Sequence, residues 1–282
     1  MKHPFGVVIG SYGLPHMVDL QIKLLRYHNG TDFPILVVDD HSPRHVRDKQ
    51  LNAWWLLQQF CNSPGVELMQ NSFEKHAGQE EGDLAVFRIG IQWAFEKELS
   101  VLVKVSQRWL VDKPDWLRSY AGKLTRHKTA VMASNYFDKW PDGSVDGIRT
   151  DVCMLWVNWW MQPSVYSLIK SYQDREVEDT FLKIVGDRLM RWDLHQFRLL
   201  HHASVSSKWL VGPRDYGPFD NKNYPNRAIR QYARIALKVG AQIPRRLFDK
   251  TNQCWTNIKD GLEWRSMPHP VPMTKEEMQK LT

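Results

Sequence analysis

Residues 35–43 read Ile35-Leu36-Val37-Val38-Asp39-Asp40-His41-Ser42-Pro43. Four apolar residues, three of them β-branched, predict a strand buried on both faces, and two carboxylates with a Ser-Pro turn end it. In an open α/β sheet, ligands bind at the carboxyl ends of the strands, so this is where acidic side chains would meet one. The same carboxylates also suit a local role, capping the turn through side-chain to backbone hydrogen bonds.

Working outward toward the N-terminus, residues 5–9 (Phe-Gly-Val-Val-Ile) form a first buried strand, closed by Gly10-Ser11-Tyr12-Gly13-Leu14-Pro15. Pro15 suits the first turn of a helix, in which Met17, Leu20, Leu24 and Tyr27 recur at helical spacing until Asn29-Gly30. The strand, helix and second strand make a βαβ unit with parallel strands and a right-handed crossover. Toward the C-terminus, residues 44–60 are helical in pattern, Ser63-Pro64-Gly65 breaks them, and 66–69 is a short third strand. The polar, turn-rich segment 74–83 leads into a helix with the stripe Leu84, Phe87, Ile91, Ala94 and Phe95. Residues 101–105 are a fourth strand with Lys104 as its one charge. The order βαβαβαβ predicts an α/β fold, a mostly parallel central sheet with helices on both faces. Beyond it the pattern predicts a helix over 114–127, a strand over 130–134, a loop over 136–147, an aromatic-rich apolar run over 152–160 and a helix over 178–190.

The 282 residues, 43% hydrophobic and 24% charged, are ample for one large α/β domain or for a domain with an appendage. Thirteen tryptophans are a surplus, pointing to an aromatic core, to sites that stack flat ligands and sugars, or to membrane-interface anchoring. A formal charge of +7 favours anionic partners: phosphates, nucleic acid or acidic lipid surfaces. Three cysteines without CxxC spacing argue against a disulfide framework and a zinc site and fit a reducing compartment. No run of 18 apolar residues occurs, and Met-Lys-His-Pro enters a strand without a signal-peptide pattern, so a cytoplasmic location is expected. There is no GxGxxG after the first strand, no Walker lysine and no GxSxG elbow, which excludes the sequence signatures of dinucleotide dehydrogenases, P-loop NTPases and α/β-hydrolases.

The first hundred or so residues resemble the GT-A fold glycosyltransferases, specifically the large inverting family that uses nucleotide-diphosphate sugars. In place of that family's Thr/Ser-Tyr-Asn turn stands Ser11-Tyr12, and in place of its Val-Asp-Asp-Gly-Ser stands Val38-Asp39-Asp40-His41-Ser42. Gly78, Phe87-Arg88-Ile89-Gly90-Ile91 and Ala94 follow in the order of the family's Gly, Ala-Arg-Asn-x-Gly-Ile helix and alanine. The resemblance implies a GT-A-like, Rossmann-like catalytic domain over 1–215, with a nucleotide-sugar half over 1–110 and an acceptor half over 111–215. It implies Asp39 on the base, Asp40 on the ribose, Tyr12 stacking, Ser11 beside them and Asp83 near the sugar nucleotide; Asp83 also reads as a helix N-cap.

The family's fourth strand ends in Asp-x-Asp, which holds a divalent metal on the diphosphate. Here it ends Val105-Ser106-Gln107-Arg108-Trp109, with no carboxylate in the slot. A leaving diphosphate needs positive charge, which Arg108 supplies in this reading and Lys104 more weakly, so no metal is expected. The alternative is Mn or Mg held by non-standard ligands such as Asp112, Asp151 or His201. The family's Glu-Asp pair on the acceptor side is matched by Glu178-Asp179, ahead of Phe181. By resemblance Asp179, then Glu178, is the base that takes the acceptor hydroxyl proton; the same acids also complement a helix dipole, an effect of about 0.3–1 kcal/mol.

The implied partners are a UDP-, GDP- or dTDP-linked sugar donor and a glycan or lipid-linked glycan acceptor, with no nucleic acid. Trp156 to Trp160 and the Trp140 loop either line the acceptor groove or fill the core. A sugar-nucleotide-binding protein without catalysis, and a basic nucleic-acid-binding protein, are the competing expectations. Residues 216–282 read as a basic, partly helical extension packed on the domain. Within 222–250, eight basic residues face one acid, and Arg227, Arg230, Arg234 and Lys238 flank the stripe Ile229, Tyr232, Ala233, Ala236 and Val239. Such a helix either lies on an anionic membrane as a peripheral contact or packs its stripe on the domain. The tail 268–282 reads as a loosely held terminus.

Overall fold

The structure, a computed structural model, describes residues 5–13, 15–42, 53–75, 77, 79–107, 109–135, 148–171, 181, 183–191, 199–201, 235–236, 238–241, 246–249, 254–257 and 271–272. The expected βαβαβαβ order is present: β1 (Phe5–Ser11), α1 (Pro15–Asn29), β2 (Ile35–Asp39), α2 (Ala53–Cys61), β3 (Val66–Gln70), α3 (Gln79–Glu96) and β4 (Val101–Ser106). There follow β5 (Trp109–Val111), α4 (Trp116–His127), β6 (Val131–Asn135), β7 (Ile148–Trp156), α5 (Val157–Trp160), α6 (Pro163–Ser171), β8 (Leu189–Arg191) and β9 (Leu199–His201).

Seven strands form one sheet in the order β3-β2-β1-β4-β7-β6-β8. The first four are mutually parallel, and β8 is parallel to β6. Strand β7 runs antiparallel to both its neighbours. The sheet is therefore mostly parallel and flanked by helices, as the pattern of the first hundred residues requires.

Alternation along the strands separates two cores. Val7, Ile9, Ile35, Val37, Val103 and Val105 face Val18 and Ile22 of α1, Leu57 of α2 and Trp116 and Leu124 of α4. Val8, Leu36, Val38 and Leu102 face Leu84, Phe87 and Ile91 of α3, with Trp160 of α5 and Phe181. A strand buried on both faces needs apolar side chains at both parities, which explains the unbroken Ile35–Val38 run. Trp116 and Trp160 are fully buried and Trp159 nearly so, which assigns these to the core; the Trp140 loop lies outside the described residues.

Three boundaries differ from expectation. The helix expected over 178–190 gives way after Val185 to a turn at Gly186, with φ 52°, and Leu189 and Met190 enter β8 beside Val131 and Met132. Helical spacing of apolar residues over that stretch hid the strand, because three residues are too few to show alternation. The apolar run 152–160 divides into the end of β7 and the short α5. In the basic region lie the paired strands β10 (Arg246–Asp249) and β11 (Cys254–Asn257), and β12 (Val271–Pro272) pairs with β11, so the stretch expected as a loose terminus contains a paired segment. Among the described residues no helix is long and apolar enough to cross a membrane.

Candidate functional site

Parallel pairing brings the carboxyl ends of β1, β2 and β4 together: Ser11 is in register with Asp39, and Gly10 with Ser106. The Asp40 N–H donates to the Ser11 carbonyl at 2.8 Å, and the Gln107 N–H to the Gly10 carbonyl at 3.3 Å. Ser11, Tyr12, Asp39 and Asp40, distant in sequence, thus share one edge of the sheet.

Asp39 is fully buried. Its Oδ1 accepts from the Ser42 hydroxyl at 2.5 Å and its Oδ2 from the Ser42 N–H at 2.9 Å. Burial pushes its pKa above the ordinary carboxylate value, opposed by the hydrogen bonds from Ser42 and Gln70 and reinforced by the neighbouring Asp40. The side-chain to backbone cap anticipated from the sequence is therefore present at Asp39. Asp40 accepts through Oδ1 from the Asn71 side chain and from the Ala77 N–H at 3.0 Å. Gly82 of α3 lets the helix approach this carboxylate: a Cβ there would lie 2.7 Å from Asp40 Oδ2.

Tyr12 keeps 38% of its surface exposed, as a stacking face requires. Its backbone is held twice by the Gln107 side chain: Tyr12 N–H donates to Oε1 at 3.1 Å, and Nε2 donates to the Tyr12 carbonyl at 2.9 Å. The next residue, Gly13 at φ 66°, donates its N–H to Ser42 Oγ at 2.8 Å. Ser11 Oγ and His41 Nε2 are buried without a hydrogen-bond partner among the described residues.

Lys104 is fully buried on the α3 side of β4. Its Nζ lies 2.6 Å and 2.7 Å from the two oxygens of Asp83, and Thr150 Oγ1 donates to Asp83 Oδ2 at 3.4 Å. Burial alone lowers the lysine pKa, but Asp83 and Asp151 more than offset it, so Lys104 stands above its ordinary value and stays charged. Lys104 and Asp83, expected separately near the sugar nucleotide, are in fact one ion pair tying α3 to β4.

Arg108, Glu178 and Asp179 lie outside the described residues. Of the alternative metal ligands, Asp112 is engaged by His28 at 2.6 Å and by Lys238 at 3.5 Å, Asp151 acts on Lys104, and His201 pairs in β9 with Trp109. Among the described residues no three of His, Cys, Asp or Glu gather as a metal would require. The end of β4 offers Ser106 and, just beyond it, the committed amide of Gln107, neither a carboxylate, so the residues described there do not fit the metal that Asp-x-Asp holds.

No family model matches the chain, and comparison with curated proteins finds no match. Solved structures similar to it include the glycosyltransferase GlyE of Streptococcus pneumoniae TIGR4, at 14% identity and a TM-score of 0.46 over 70% of this chain and 46% of that one. The WbbM bifunctional glycosyltransferase is similar at 13% identity and a TM-score of 0.44, over 69% and 39% of the respective chains. A 4-diphosphocytidyl-2C-methyl-D-erythritol synthase from Anaerococcus prevotii is similar at 11% and 0.42, over 68% and 87%. The chain spans less than half the length of the first two. The fold itself is a mostly parallel α/β sheet flanked by helices. Within this sheet, the residues to which motif reading gave no role are Gln107, Ser42 and Asn71. Each is a polar residue just beyond the end of a sheet strand, and that position is the signal that finds them.

Proposed function

We propose that the chain is an inverting glycosyltransferase, moving a sugar from a nucleotide-diphosphate donor to a hydroxyl of a glycan or lipid-linked glycan without a metal. The observation that carries this reading is the convergence of Ser11, Tyr12, Asp39 and Asp40 at the carboxyl ends of β1 and β2, with the Lys104–Asp83 pair on β4 and α3. The exposed Tyr12 ring at this acidic strand end suits stacking on a nucleoside base.

In the proposed reaction the acceptor oxygen attacks the anomeric carbon opposite the diphosphate. Its proton passes to Asp179, with Glu178 as the second choice; the new C–O bond forms as the bond to the diphosphate oxygen breaks, and the nucleoside diphosphate leaves as an anion. Arg108 stabilises that anion, because the charge of Lys104 is already balanced by Asp83. That same neutralisation favours a second reading, donor binding without turnover. Peripheral attachment to an anionic cytoplasmic membrane face through 222–250 belongs to the proposal and is checked by co-sedimentation with anionic vesicles.

The deciding experiment is a thermal-shift screen of UDP-, GDP- and dTDP-linked sugars in EDTA and in manganese. One donor class is expected to raise the midpoint equally in both, since ligand at a hundred times its Kd stabilises by about 2.7 kcal/mol. No shift with any donor overturns the reading. Asp179→Ala is expected to keep that shift and lower transfer by about 10²- to 10⁴-fold; unchanged transfer removes Asp179 as base, and a wild-type chain that binds but never transfers leaves the second reading.

A further inference from the structure

We propose that Gln107 is a positioning residue for the nucleoside, fixing the backbone of Tyr12 so that its ring is presented at the sheet edge; this rests on the nucleotide-sugar reading above. Backbone register between β1 and β4 ends at the pair Gly10–Ser106. One step further on, the Gln107 side chain takes the place of a strand: its carbonyl oxygen accepts the Tyr12 N–H and its amide nitrogen donates to the Tyr12 carbonyl. Only one orientation of the terminal amide satisfies both bonds, so the pairing also sets the amide. A primary amide donates and accepts in this way without a charge and without depending on pH.

The opposite flank of the loop is held too. Gly13 N–H reaches Ser42 Oγ, and Ser42 is in turn fixed by Asp39. Residues 12 and 13 are thus gripped from the β4 side and the β2 side, while Gln107 is 9% exposed and Tyr12 is 38% exposed. Ordering a loop before binding removes that ordering entropy from the binding step. In the stretch where the resembling family has Asp-x-Asp, Gln107 therefore serves here to hold an aromatic residue.

The test is a double-mutant cycle on the full chain, with UDP, GDP and dTDP as probes in calorimetric titrations in EDTA. Tyr12→Ala is expected to weaken the bound nucleotide by about tenfold. Gln107→Ala is expected to weaken it by about fivefold, and the double variant to be no weaker than Tyr12→Ala alone. Additive losses, or unchanged affinity in Gln107→Ala, overturn the role of Gln107 while leaving the nucleotide reading in place; a wild-type chain that binds none of the three overturns both. Should Gln107→Ala not fold, Gln107→Met keeps the side-chain length and completes the cycle. Gln107→Glu retains the acceptor but sets a carboxylate against the Tyr12 carbonyl, so its weakening is expected to persist in manganese. Tighter binding of that variant in manganese than in EDTA would show that the slot acts through a cation and overturn the proposal.

Discussion

His41 sits at φ 54°, in the left-handed region, where the resembling motif has glycine. A side chain there costs about 1–2 kcal/mol, and glycine returns about 0.5–1 kcal/mol of that as backbone entropy. Because His41 Nε2 is also buried without a partner among the described residues, His41→Gly is expected to raise unfolding stability by about 1 kcal/mol in urea titration. Asp39 has the opposite character, a carboxyl whose folded pKa is raised, first by burial. Its protonated form favours the folded state, so its contribution is full below the unfolded value of 3.8 and is lost as pH rises through the folded value. Asp39→Asn removes that titration, and the stability gained by wild type relative to this variant on acidification from neutral pH toward 3.8 measures it. Lys104 is fully buried against the partly exposed Asp83, and Lys104→Met removes that ion pair while Asp83 keeps the Thr150 hydroxyl, for an expected loss of about 1–3 kcal/mol by chemical denaturation. Arg118→Ala, which breaks an exposed pair with Asp32 at 3.1 Å, is expected to change stability by less than about 1 kcal/mol.

At the scale of elements, α3 is the piece that joins the sheet to the site. Gly90 lets it lie close on β1 and β4, where an added Cβ would come within 3.0 Å of Val8 and 3.1 Å of Leu102. At its N-terminal end Gly82 admits Asp40, whose Oδ1 is tethered by Asn71 and Ala77. Gly82→Ala gains helix propensity of up to about 1 kcal/mol, but the tethered carboxylate must shift, at about 1–3 kcal/mol. The net expectation is a modest loss of stability, read from the melting midpoint, together with weaker nucleotide binding in the screen. Arg88 anchors the same helix to α6, donating to the Ile169 carbonyl at 2.9 Å and 2.6 Å.

Over the whole molecule, a segment remote in sequence closes on the first helix. Lys23 donates to the Gly240 carbonyl at 2.9 Å, Lys238 reaches Asp112 and lies 4.7 Å from the Tyr27 ring centroid, and Ala236 is fully buried. Of the residues assigned to the basic amphipathic helix, Ala236 is therefore buried and Lys238, itself exposed, reaches Asp112 and Tyr27; Arg227, Arg230 and Arg234 lie outside the described residues. A chain ending at residue 215 is expected to melt at a lower temperature than the full chain, and an unchanged midpoint would show that these contacts add nothing to stability.

The sheet's parallel half was legible before any coordinates, because a strand buried on both faces leaves an unbroken β-branched run and a crossover helix leaves a 3.6-residue stripe. Residues 35–38 and the Leu84, Phe87, Ile91 and Ala94 stripe are of that kind. The antiparallel insertion of β7, and three-residue strands such as β8 and β5, leave no such mark, since their pairing depends on partners far along the chain. At the site, sequence alone placed Ser11, Tyr12, Asp39 and Asp40 at strand ends. Only the tertiary structure decided that Asp39 serves the turn through Ser42, that Lys104 is matched by Asp83, and that Gln107 grips Tyr12 across 95 positions of sequence. Motif spacing records which chemistry a chain carries to the edge of a sheet; which hydrogen bonds those groups make depends on side chains that folding alone brings within 3 Å.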